Sequence, residues 1–295
     1  MTVAELRREV ADALRGSGEP VREADWLVSA MLGTTRAGLI ARGGDALDGR
    51  TAEWIVGRAL RMARRRASGQ PLQYVVGESM FFGLSLAVGP PVLVPRPETE
   101  LVLGCVLDLL AGRAECRVAD VCTGSGAIAL GVKRAMPGAD VVGFDHSSAA
   151  LSIAAVNAAR LGLLVDWVHA DVMTDDFASV LGVENAADDG FDVVVSNPPY
   201  VAEAECDEVA PDVLAFEPPD ALFVSGDPLR FYDRIIAESL RVARPGGLLV
   251  FEVHEDRADR VAATMREAGY ANPTVRDDHA GRSRVVASAL EVRPT

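Results

Sequence analysis

Strand-like and helix-like segments alternate over the last two-thirds of the chain, and this alternation constrains the fold more than any other feature. Short apolar runs predict strands, and segments with apolar residues every three or four positions predict helices. The predicted strands are 117–121, 140–145, 165–169, 192–196 and 248–252, with two final strands near 273–277 and 283–288. The predicted helices are 98–111, 125–136, 148–161, 228–243 and 256–268. The pattern predicts an α/β fold whose mainly parallel sheet is covered by helices on both faces.

The first third of the chain has a different pattern. Residues 1–68 carry apolar residues at helical spacing between glycine-containing breaks, which predicts a small helical domain. Residues 69–97 contain short alternating runs broken by glycines and prolines, which is typical of a linker with a β-hairpin. We therefore expect a helical domain (1–68), a hairpin linker (69–97) and an α/β domain (98–295) that binds the ligand.

Charge and cysteine content exclude several classes of function. The chain has 43 acidic and 29 basic residues and a net charge of −14, so it should not attract duplex nucleic acid over most of its surface. Its four cysteines form no Cys-x-x-Cys pair and no metal-ligand spacing with the four histidines, so no metal site is expected. We find neither a signal peptide nor an apolar run of membrane-span length, and expect a cytoplasmic protein that does not bind membranes.

One short segment of the helical domain is rich in arginine. The basic side chains are those of Arg58, Arg61, Arg64, Arg65 and Arg66. They indicate either a solvated helix face or a docking surface for an acidic or RNA-bound partner.

The turn after the first predicted strand of the α/β domain suggests a nucleotide-like ligand. Residues 120–126 read Asp-Val-Cys-Thr-Gly-Ser-Gly, and the two glycines allow the backbone to pass close to a ligand. The next strand ends in Asp145, roughly twenty residues later, where a carboxylate can accept hydrogen bonds from a ribose diol. Ile128 and Ala129 follow in place of the third glycine of a dinucleotide fingerprint, which disfavours NAD. Asp171, just after the following strand, is either an adenine contact or an ordinary exposed aspartate.

The strand 192–196 ends in Asn197-Pro198-Pro199-Tyr200. Proline can end a strand but cannot donate to its interior ladder, and two prolines remove two N–H groups. The Asn197 side-chain oxygen and the Pro198 carbonyl could therefore accept the two hydrogens of a planar –NH₂ group, while Tyr200 packs against its flat face. Such a nitrogen is a poor nucleophile, so catalysis would depend on orienting it toward an electrophilic methyl group.

The glycine loop, the ribose acid and the Asn-Pro-Pro-Tyr segment together resemble the class I S-adenosylmethionine-dependent methyltransferases that modify planar nitrogens. Further motifs make the chain similar to the PrmC/HemK family over residues from about 70 to 288. These motifs are Gln70-Pro71-Leu72-Gln73-Tyr74, Phe82-Gly83, Val94-Pro95-Arg96-Pro97-Glu98-Thr99-Glu100, Asn157, Glu217-Pro218, Ala221-Leu222 and Ala280-Gly281-Arg282-Ser283-Arg284.

The resemblance implies a Rossmann-like sheet of seven strands, S-adenosyl-L-methionine as cofactor, and the Gly-Gly-Gln glutamine of peptide chain release factors as methyl acceptor. The expected catalytic residues are Asn197, Pro198 and Tyr200. The expected cofactor-binding residues are Asp120, Thr123, Gly124, Gly126, Asp145, Asp171, Asn197, Arg96 and Glu98. The expected substrate-binding residues are Asn197, Pro198, Pro199, Tyr200, Phe82, Glu252 and His254.

The sequence also departs from the family pattern near the expected site. Cys122 stands where the family usually has the first glycine of the loop. Glu252 is followed by Val-His-Glu-Asp-Arg, without the glycine and glutamine of the family's Glu-x-Gly-x-x-Gln. The segment 144–148, Phe-Asp-His-Ser-Ser, is also atypical after the ribose acid.

These departures leave other acceptors open. A small metabolite such as the guanidinium of free arginine would be favoured by an acidic run after the expected catalytic turn. The run consists of Glu203, Glu205, Asp207, Glu208 and Asp212, and the ordinary interpretation is a solvated surface. Methylation of a nucleic-acid base would require a basic groove and a recognition domain, and the sequence indicates neither of them. A noncatalytic cofactor-binding protein would not need Asn197.

Overall fold

A computed structural model describes residues 1–291 of the chain. Its α-helices are α1 (Val3–Ala13), α2 (Pro20–Leu32), α3 (Arg36–Ala41), α4 (Gly49–Ala67), α5 (Leu72–Val76), α6 (Pro97–Leu109), α7 (Ala127–Ala135), α8 (Ser148–Leu161), α9 (Phe177–Val180), α10 (Ala186–Asp189), α11 (Pro211–Phe216), α12 (Arg230–Val242) and α13 (Ala258–Ala268). Its strands are β1 (Glu78–Phe81), β2 (Leu84–Ala87), β3 (Arg117–Val121), β4 (Asp140–Asp145), β5 (Asp166–His169), β6 (Phe191–Ser196), β7 (Val201–Ala202), β8 (Phe223–Val224), β9 (Ala243–Glu252), β10 (Tyr270–Asp277) and β11 (Ser283–Leu290). Short 3₁₀ turns span Glu203–Glu208, Pro219–Ala221 and Glu255–Arg257.

The described residues divide into two compact units. The first unit comprises Met1–Glu78 and Val209–Phe216, and the second comprises Ser79–Glu208 and Glu217 onward. The first unit is helical and contains α1 to α5 together with α11. The division of the chain into domains at residues 68 and 97 stays a prediction.

The helices of the first unit form because their apolar residues share one face. Val3, Leu6 and Val10 lie on one side of α1 and are fully buried in a core shared with α2, α4 and α5. Thr2 begins α1 with a capping box, because its hydroxyl accepts from the Glu5 N–H while the Glu5 carboxylate accepts from the Thr2 N–H. The first unit is thus a small helical bundle with its own core.

The second unit is built on a mainly parallel sheet, as the alternation of segments predicts. Within residues 1–291 its seven strands have the order β10-β11-β9-β6-β3-β4-β5. The neighbouring pairs among β9, β6, β3, β4 and β5 are parallel, whereas β11 runs antiparallel to both β9 and β10. The expected α/β class and the seven-stranded sheet are confirmed.

Side chains of the central strands alternate between two buried layers. On one face Val194 packs in the core that includes α12 and α13, and on the other face Val193 and Val195 pack in the core that includes α6, α7 and α8. Both faces of β6 are buried, so neither face contacts water. This burial explains why the strand contains an unbroken run of apolar residues. Each such side chain contributes roughly 1.5–3 kcal/mol when fully buried.

The expected hairpin is also present. Strands β1 and β2 form a two-stranded sheet on either side of Phe82 and Gly83. Both turn residues have positive φ, at 48° and 78°, as a tight hairpin turn of two residues requires.

Candidate functional site

The carboxyl ends of the central strands meet at one edge of the sheet. Val121 at the end of β3 pairs with Phe144 of β4 and with Ser196 of β6. The loops that follow these strands therefore lie side by side, which is where ligands bind in such sheets. A cavity of about 750 Å³ opens there, and its lining includes Arg96, Asp120, Thr123, Gly124, Asp145, Asp171, Asn197 and Pro199 among the expected site residues.

The glycine loop after β3 combines an open position with a tightly packed one. Gly124 has a φ of 57° and lines the cavity, and no heavy atom lies within 4 Å of where its Cβ would be. Gly126 has a φ of 80°, and a Cβ there would lie 2.8 Å from the Trp167 ring. Gly124 can therefore admit a ligand beside the backbone, whereas Gly126 serves the packing of α7 on the sheet.

Cys122 has a φ of 60°, a conformation that costs a non-glycine residue roughly 1–2 kcal/mol. This left-handed geometry explains why glycine suits the position, which this chain fills with a cysteine. The Cys122 side chain lines the cavity, and burial raises the pKa of its thiol.

Asp120 lies near the end of β3 and is 1% exposed. Its Oδ2 atom accepts hydrogen bonds from the Thr123 hydroxyl at 2.6 Å and from the Ala129 N–H at 3.0 Å. Its Oδ1 atom has no hydrogen-bond partner among the described residues. Burial raises the pKa of Asp120 to about 7, against the opposing effect of its two donors. An orphaned buried carboxylate oxygen is costly, so Asp120 is suited to receive a donor from a bound ligand.

Asp145 ends β4 and organises the backbone around the cavity. Its Oδ2 atom accepts from the Gly124 N–H, and its Oδ1 atom accepts from the Ser147 N–H, both at 2.9 Å. Each carboxylate oxygen has further lone pairs, so the same group can still accept from a ligand diol. Hydrogen bonding by Asp145 raises the pKa of the adjacent His146.

Asp171 follows β5 and contributes to the same cavity. Its Oδ1 atom accepts from the Met173 N–H at 2.8 Å, and its own N–H donates to Asp175. These bonds fix the turn and place Asp171 at the edge of the cavity, beyond the end of β5.

The Asn-Pro-Pro-Tyr segment is held by a chain of side-chain hydrogen bonds. Asn197 Nδ2 donates to Thr99 Oγ1 at 3.2 Å, and the Thr99 hydroxyl donates to Glu252 Oε2 at 2.6 Å. The Tyr200 hydroxyl lies 3.4 Å from Glu252 Oε1. Asn197 and Pro199 line the cavity, while Tyr200 packs against the core beneath α12.

Glu252 ends β9 and is 2% exposed. Burial raises its pKa to about 7, and the nearby Glu98 acts in the same direction. Both carboxylate oxygens are engaged by protein hydroxyls, so Glu252 faces the segment that it holds. Burial also raises the pKa of Tyr200, and the charge of Glu252 adds to this effect.

The segment before α6 forms another wall of the cavity. The Arg96 guanidinium pairs with the Glu217 carboxylate at 2.7 Å, and Glu217 also accepts from the Val94 N–H at 2.9 Å. Glu98 lies in the first turn of α6, where its carboxylate is favoured by the helix dipole. Arg96 thus lines the cavity and Glu98 lies near Glu252, which accounts for the electrostatic effect on Glu252.

Two expected substrate-binding residues lie apart from this chain of hydrogen bonds. Phe82 is 44% exposed on the hairpin turn, and its N–H donates to Glu100 at 2.7 Å. His254 caps the 3₁₀ turn after β9, and its ring centroid lies 6.3 Å from that of Tyr200. Pro198 is buried between Asn197 and Pro199.

The sequence does not single out Thr99 or Glu217 as site residues, although both lie in motifs that resemble those of the family. Their roles depend on partners 153 and 123 residues away in the chain, Glu252 and Val94 respectively. One sequence signal could have identified both residues. Each stands in a motif at a position where local structure does not require a threonine or a glutamate.

Among residues 1–291, no group of three or more His, Cys, Asp or Glu side chains is placed to hold a metal ion. Over the same residues, no helix has both the length and the apolar character needed to cross a membrane.

Comparisons with known proteins indicate the family and the fold of the chain. Residues 5–77 match the family model of the PrmC N-terminal domain, and residues 99–227 match that of the Methyltransferase small domain. A methyltransferase from Pyrococcus furiosus has a crystal structure that aligns with a TM-score of 0.51 at 17% identity, over 72% of this chain and 91% of that chain, which shows a shared fold.

Two relatives are similar over nearly their full lengths. The release factor glutamine methyltransferase of Bordetella pertussis is 38% identical over 285 residues, or 95% of this chain and 98% of the relative. That of Deinococcus radiodurans is 37% identical over 288 residues, or 97% of this chain and 98% of the relative. Identity at this level across both parts of the chain confirms the resemblance inferred from the motifs. The chain therefore belongs to the family of release factor glutamine methyltransferases.

Proposed function

We propose that this protein transfers the methyl group of S-adenosyl-L-methionine to the side-chain amide nitrogen of the Gly-Gly-Gln glutamine in peptide chain release factors. The observation that carries the proposal is the Asn197 side chain, which lines the cavity while Thr99 accepts from its Nδ2 atom. Its Oδ1 atom is then the end that can accept from a planar nitrogen. Family membership supports the same acceptor, and the reaction belongs in the cytoplasm, where release factors act.

The chemistry of the cavity fits this cofactor. S-adenosyl-L-methionine supplies a methyl group on a positively charged sulfur, together with a cationic amino group and a ribose diol. Asp120 offers the orphaned Oδ1 atom to the amino group, and Asp145 offers its remaining lone pairs to the diol. Gly124 leaves space beside the backbone, while Thr123, Asp171 and Arg96 complete the lining.

The catalytic task of the protein is to orient the acceptor. In this proposal Asn197 Oδ1 and the Pro198 carbonyl accept the two hydrogens of the glutamine –NH₂ group. Pro199 sets the shape of the cavity beside it, and Tyr200 holds the segment from the core side. An amide nitrogen has a delocalised lone pair, so alignment with the methyl group and stabilisation of the positive charge that develops on nitrogen supply the rate. The methyl–sulfur bond would break as the new nitrogen–carbon bond forms, and the cofactor would leave as a neutral thioether. The positively charged amide nitrogen would then release one of its hydrogens as a proton to water; such a nitrogen is strongly acidic, so no strong base is required.

The first unit presents a surface suited to a protein acceptor. A depression of about 420 Å³ is lined by Trp54, Arg58, Arg61, Met62, Arg65 and Val75 on α4 and α5. The Arg58 guanidinium carbon lies 5.3 Å from the Trp54 ring centroid, a cation–π arrangement that leaves both groups at the surface. We propose that this surface docks an acidic segment of the release factor.

The alternative acceptor, free arginine, has less support. Its motivation is the acidic run 203–212, but Glu205 in that run already binds the Arg257 guanidinium with both oxygens, at 2.5 and 2.6 Å. Arg257 lowers the pKa of Glu205, as expected for a satisfied ion pair. A carboxylate committed to a buried arginine is poorly available to a cationic substrate.

The proposed reaction is tested with purified protein and cofactor carrying a labelled methyl group. We expect label to transfer to a recombinant release factor, and mass spectrometry to locate it on the Gly-Gly-Gln glutamine. A release factor with alanine in place of that glutamine is the matched control and should take up no label. Transfer to free arginine but not to the release factor would overturn the proposal.

The docking surface is tested separately by the double substitution Arg58→Ala and Arg61→Ala. We expect KM for the release factor to rise several-fold, because the surface contributes to binding. The kcat should stay nearly unchanged, because none of the residues that line this surface lines the cavity. Arg22→Ala, which removes an exposed arginine paired with Glu19, is the control. An unchanged KM in the double variant would exclude this docking surface.

A further inference from the structure

We propose that Thr99 and Glu252 are positioning residues that decide which end of the Asn197 side-chain amide faces the methyl acceptor. This inference rests on the proposed function, because it concerns how that same site holds a planar nitrogen. An asparagine amide has a donor end and an acceptor end of nearly equal shape, so packing alone cannot select one of them. A hydrogen-bond partner with a fixed role is needed to make the selection.

The direction of each hydrogen bond follows from the last acceptor in the chain. An ionised Glu252 carboxylate can only accept, so the Thr99 hydroxyl must donate its hydrogen to Glu252 Oε2 at 2.6 Å. Thr99 Oγ1 is then left with lone pairs, and it accepts from Asn197 Nδ2 at 3.2 Å. The nitrogen end of Asn197 is thereby held toward α6. The oxygen end remains for the acceptor amide.

The positioning residues are themselves held firmly. Thr99 is 5% exposed in the first turn of α6, and Glu252 is 2% exposed at the end of β9. The Tyr232 hydroxyl on α12 donates to the backbone carbonyl of Glu252 at 3.0 Å, and the Tyr200 hydroxyl lies 3.4 Å from Glu252 Oε1. Contacts from several elements therefore fix the position of Glu252, and burial keeps water from replacing Thr99 in the relay.

Protonation of Glu252 would reverse the relay. A carboxylic acid can donate to Thr99 Oγ1, so the Thr99 hydroxyl would turn its hydrogen toward Asn197 and favour the flipped amide, with Nδ2 facing the acceptor. Two donors would then face each other, and the acceptor amide would lose its hydrogen bond.

The surroundings of Glu252 favour such a protonation near neutral pH. The pKa of Glu252 is raised to about 7, chiefly by burial, and the charge of Glu98 on α6 acts in the same direction. The hydrogen bonds from Thr99 and Tyr200 and the charge of Arg284 on β11 oppose this rise. Other titratable groups nearby are Tyr200, with Arg96 and His254 around it, Tyr232 on α12, and Arg257 in the 3₁₀ turn after β9.

Thr99 provides a pair of variants that separates its hydroxyl from its shape. Thr99→Val keeps the branched shape but removes the hydroxyl, and we expect kcat for the release factor to fall about ten- to a hundredfold. Thr99→Ser keeps the hydroxyl and should restore kcat to within about threefold. Cofactor affinity, measured by calorimetry, should stay within about threefold in both. The control is Ser288→Ala, which removes another buried hydroxyl, one that donates to the Ala271 carbonyl away from the cavity.

Glu252→Gln tests the relay without relying on Thr99. With saturating cofactor, the wild-type kcat should rise with a midpoint near pH 7 and level off about one pH unit higher, because the ionised form of Glu252 sets the productive direction. Glutamine can accept from Thr99 but does not titrate, so the rise should vanish in Glu252→Gln.

The possible outcomes are distinct. If the wild-type protein does not methylate the release factor, the proposed function fails, whatever the variants do. If it does, but Thr99→Val and Thr99→Ser lower kcat equally, the hydroxyl has no positioning role and the inference is overturned. The same conclusion follows if the pH dependence of Glu252→Gln matches that of the wild type.

Discussion

Two buried carboxylic acids at the same edge of the sheet differ in what they do with their oxygens. Asp120 near the end of β3 and Glu252 at the end of β9 are 1% and 2% exposed, and burial raises the pKa of each to about 7. Asp120 has one oxygen without a partner in the described residues, whereas protein hydroxyls engage both oxygens of Glu252. One acid is therefore suited to receive a ligand group, and the other to hold a protein group.

The difference shows that a raised pKa alone does not identify a ligand-binding acid. Burial perturbs both groups in the same direction, because low dielectric disfavours the charged form wherever it lies. The two acids differ instead in how many of their carboxylate oxygens have hydrogen-bond partners within the protein. In the proposed function, the cavity accordingly has a cofactor side, around Asp120 and Asp145, and an acceptor side, around Asn197 and Glu252.

The largest expected effect is on the acceptor side. Asn197→Ala removes the proposed hydrogen-bond acceptor, and we expect kcat to fall about 10²–10³-fold, as for loss of a polar group that stabilises a transition state. Cofactor affinity should stay within a few-fold, because Asp120 and Asp145 are untouched. Steady-state methylation kinetics and calorimetry measure the two quantities, with Asn185→Ala, an exposed asparagine that caps α10, as control. Full activity in Asn197→Ala would remove the amide-holding mechanism.

The raised pKa values predict a pH dependence of stability. A carboxyl whose pKa is higher in the folded state stabilises the fold fully below its unfolded pKa, and this contribution is lost as pH rises through the folded value. For Asp120 the window lies between about pH 4 and pH 7. Asp120→Asn cannot titrate, so its free energy of unfolding should gain about 2–4 kcal/mol relative to the wild type between pH 4 and pH 8. Urea unfolding of both proteins across this range measures the gain, and a constant difference would contradict it.

Asp145→Ala should weaken the cofactor side without changing the acceptor side. We expect Kd for S-adenosyl-L-methionine to rise about ten- to a hundredfold, because a charged acceptor and the anchor of the Gly124 N–H are lost together. Asp140→Ala is the matched control, since Asp140 begins the same strand and pairs with Arg117 at the surface. Calorimetry with cofactor alone decides the matter: equal affinities in the two variants would exclude Asp145 from the binding site.

The smallest effect concerns the proton on Asp120. If a cationic amino group binds its Oδ1 atom, binding should favour the ionised carboxylate and release a fraction of a proton near pH 6–7. Calorimetry in buffers with different ionisation enthalpies measures this release. In Asp120→Asn the release should disappear, and Kd should rise about tenfold. Persistent proton release in the variant would assign it to another group.

Local sequence patterns were sufficient to predict most of the sheet. Strands β3 and β4 occupy residues 117–121 and 140–145, as the apolar runs predict, and α8 spans Ser148–Leu161, also as predicted. β9 begins at Ala243, earlier than the predicted 248, because pairing with β6 extends the strand through a proline and two glycines. The short elements between β5 and β6 have too few residues to show a period.

The sequence by itself determined the seven-stranded α/β fold, the glycine loop with Asp145 at the end of the next strand, and the Asn-Pro-Pro-Tyr segment, because each depends on residues close together in the chain. Only the tertiary structure decided that Thr99, Asn197 and Glu252 form one relay, since 98 and 153 residues separate Thr99 from its two partners. It also decided that Asp120 keeps a free oxygen while Glu252 does not. The physical reason is that the direction of a hydrogen bond depends on which groups come into contact in the folded chain. The spacing of residues along the sequence does not show which distant groups these are.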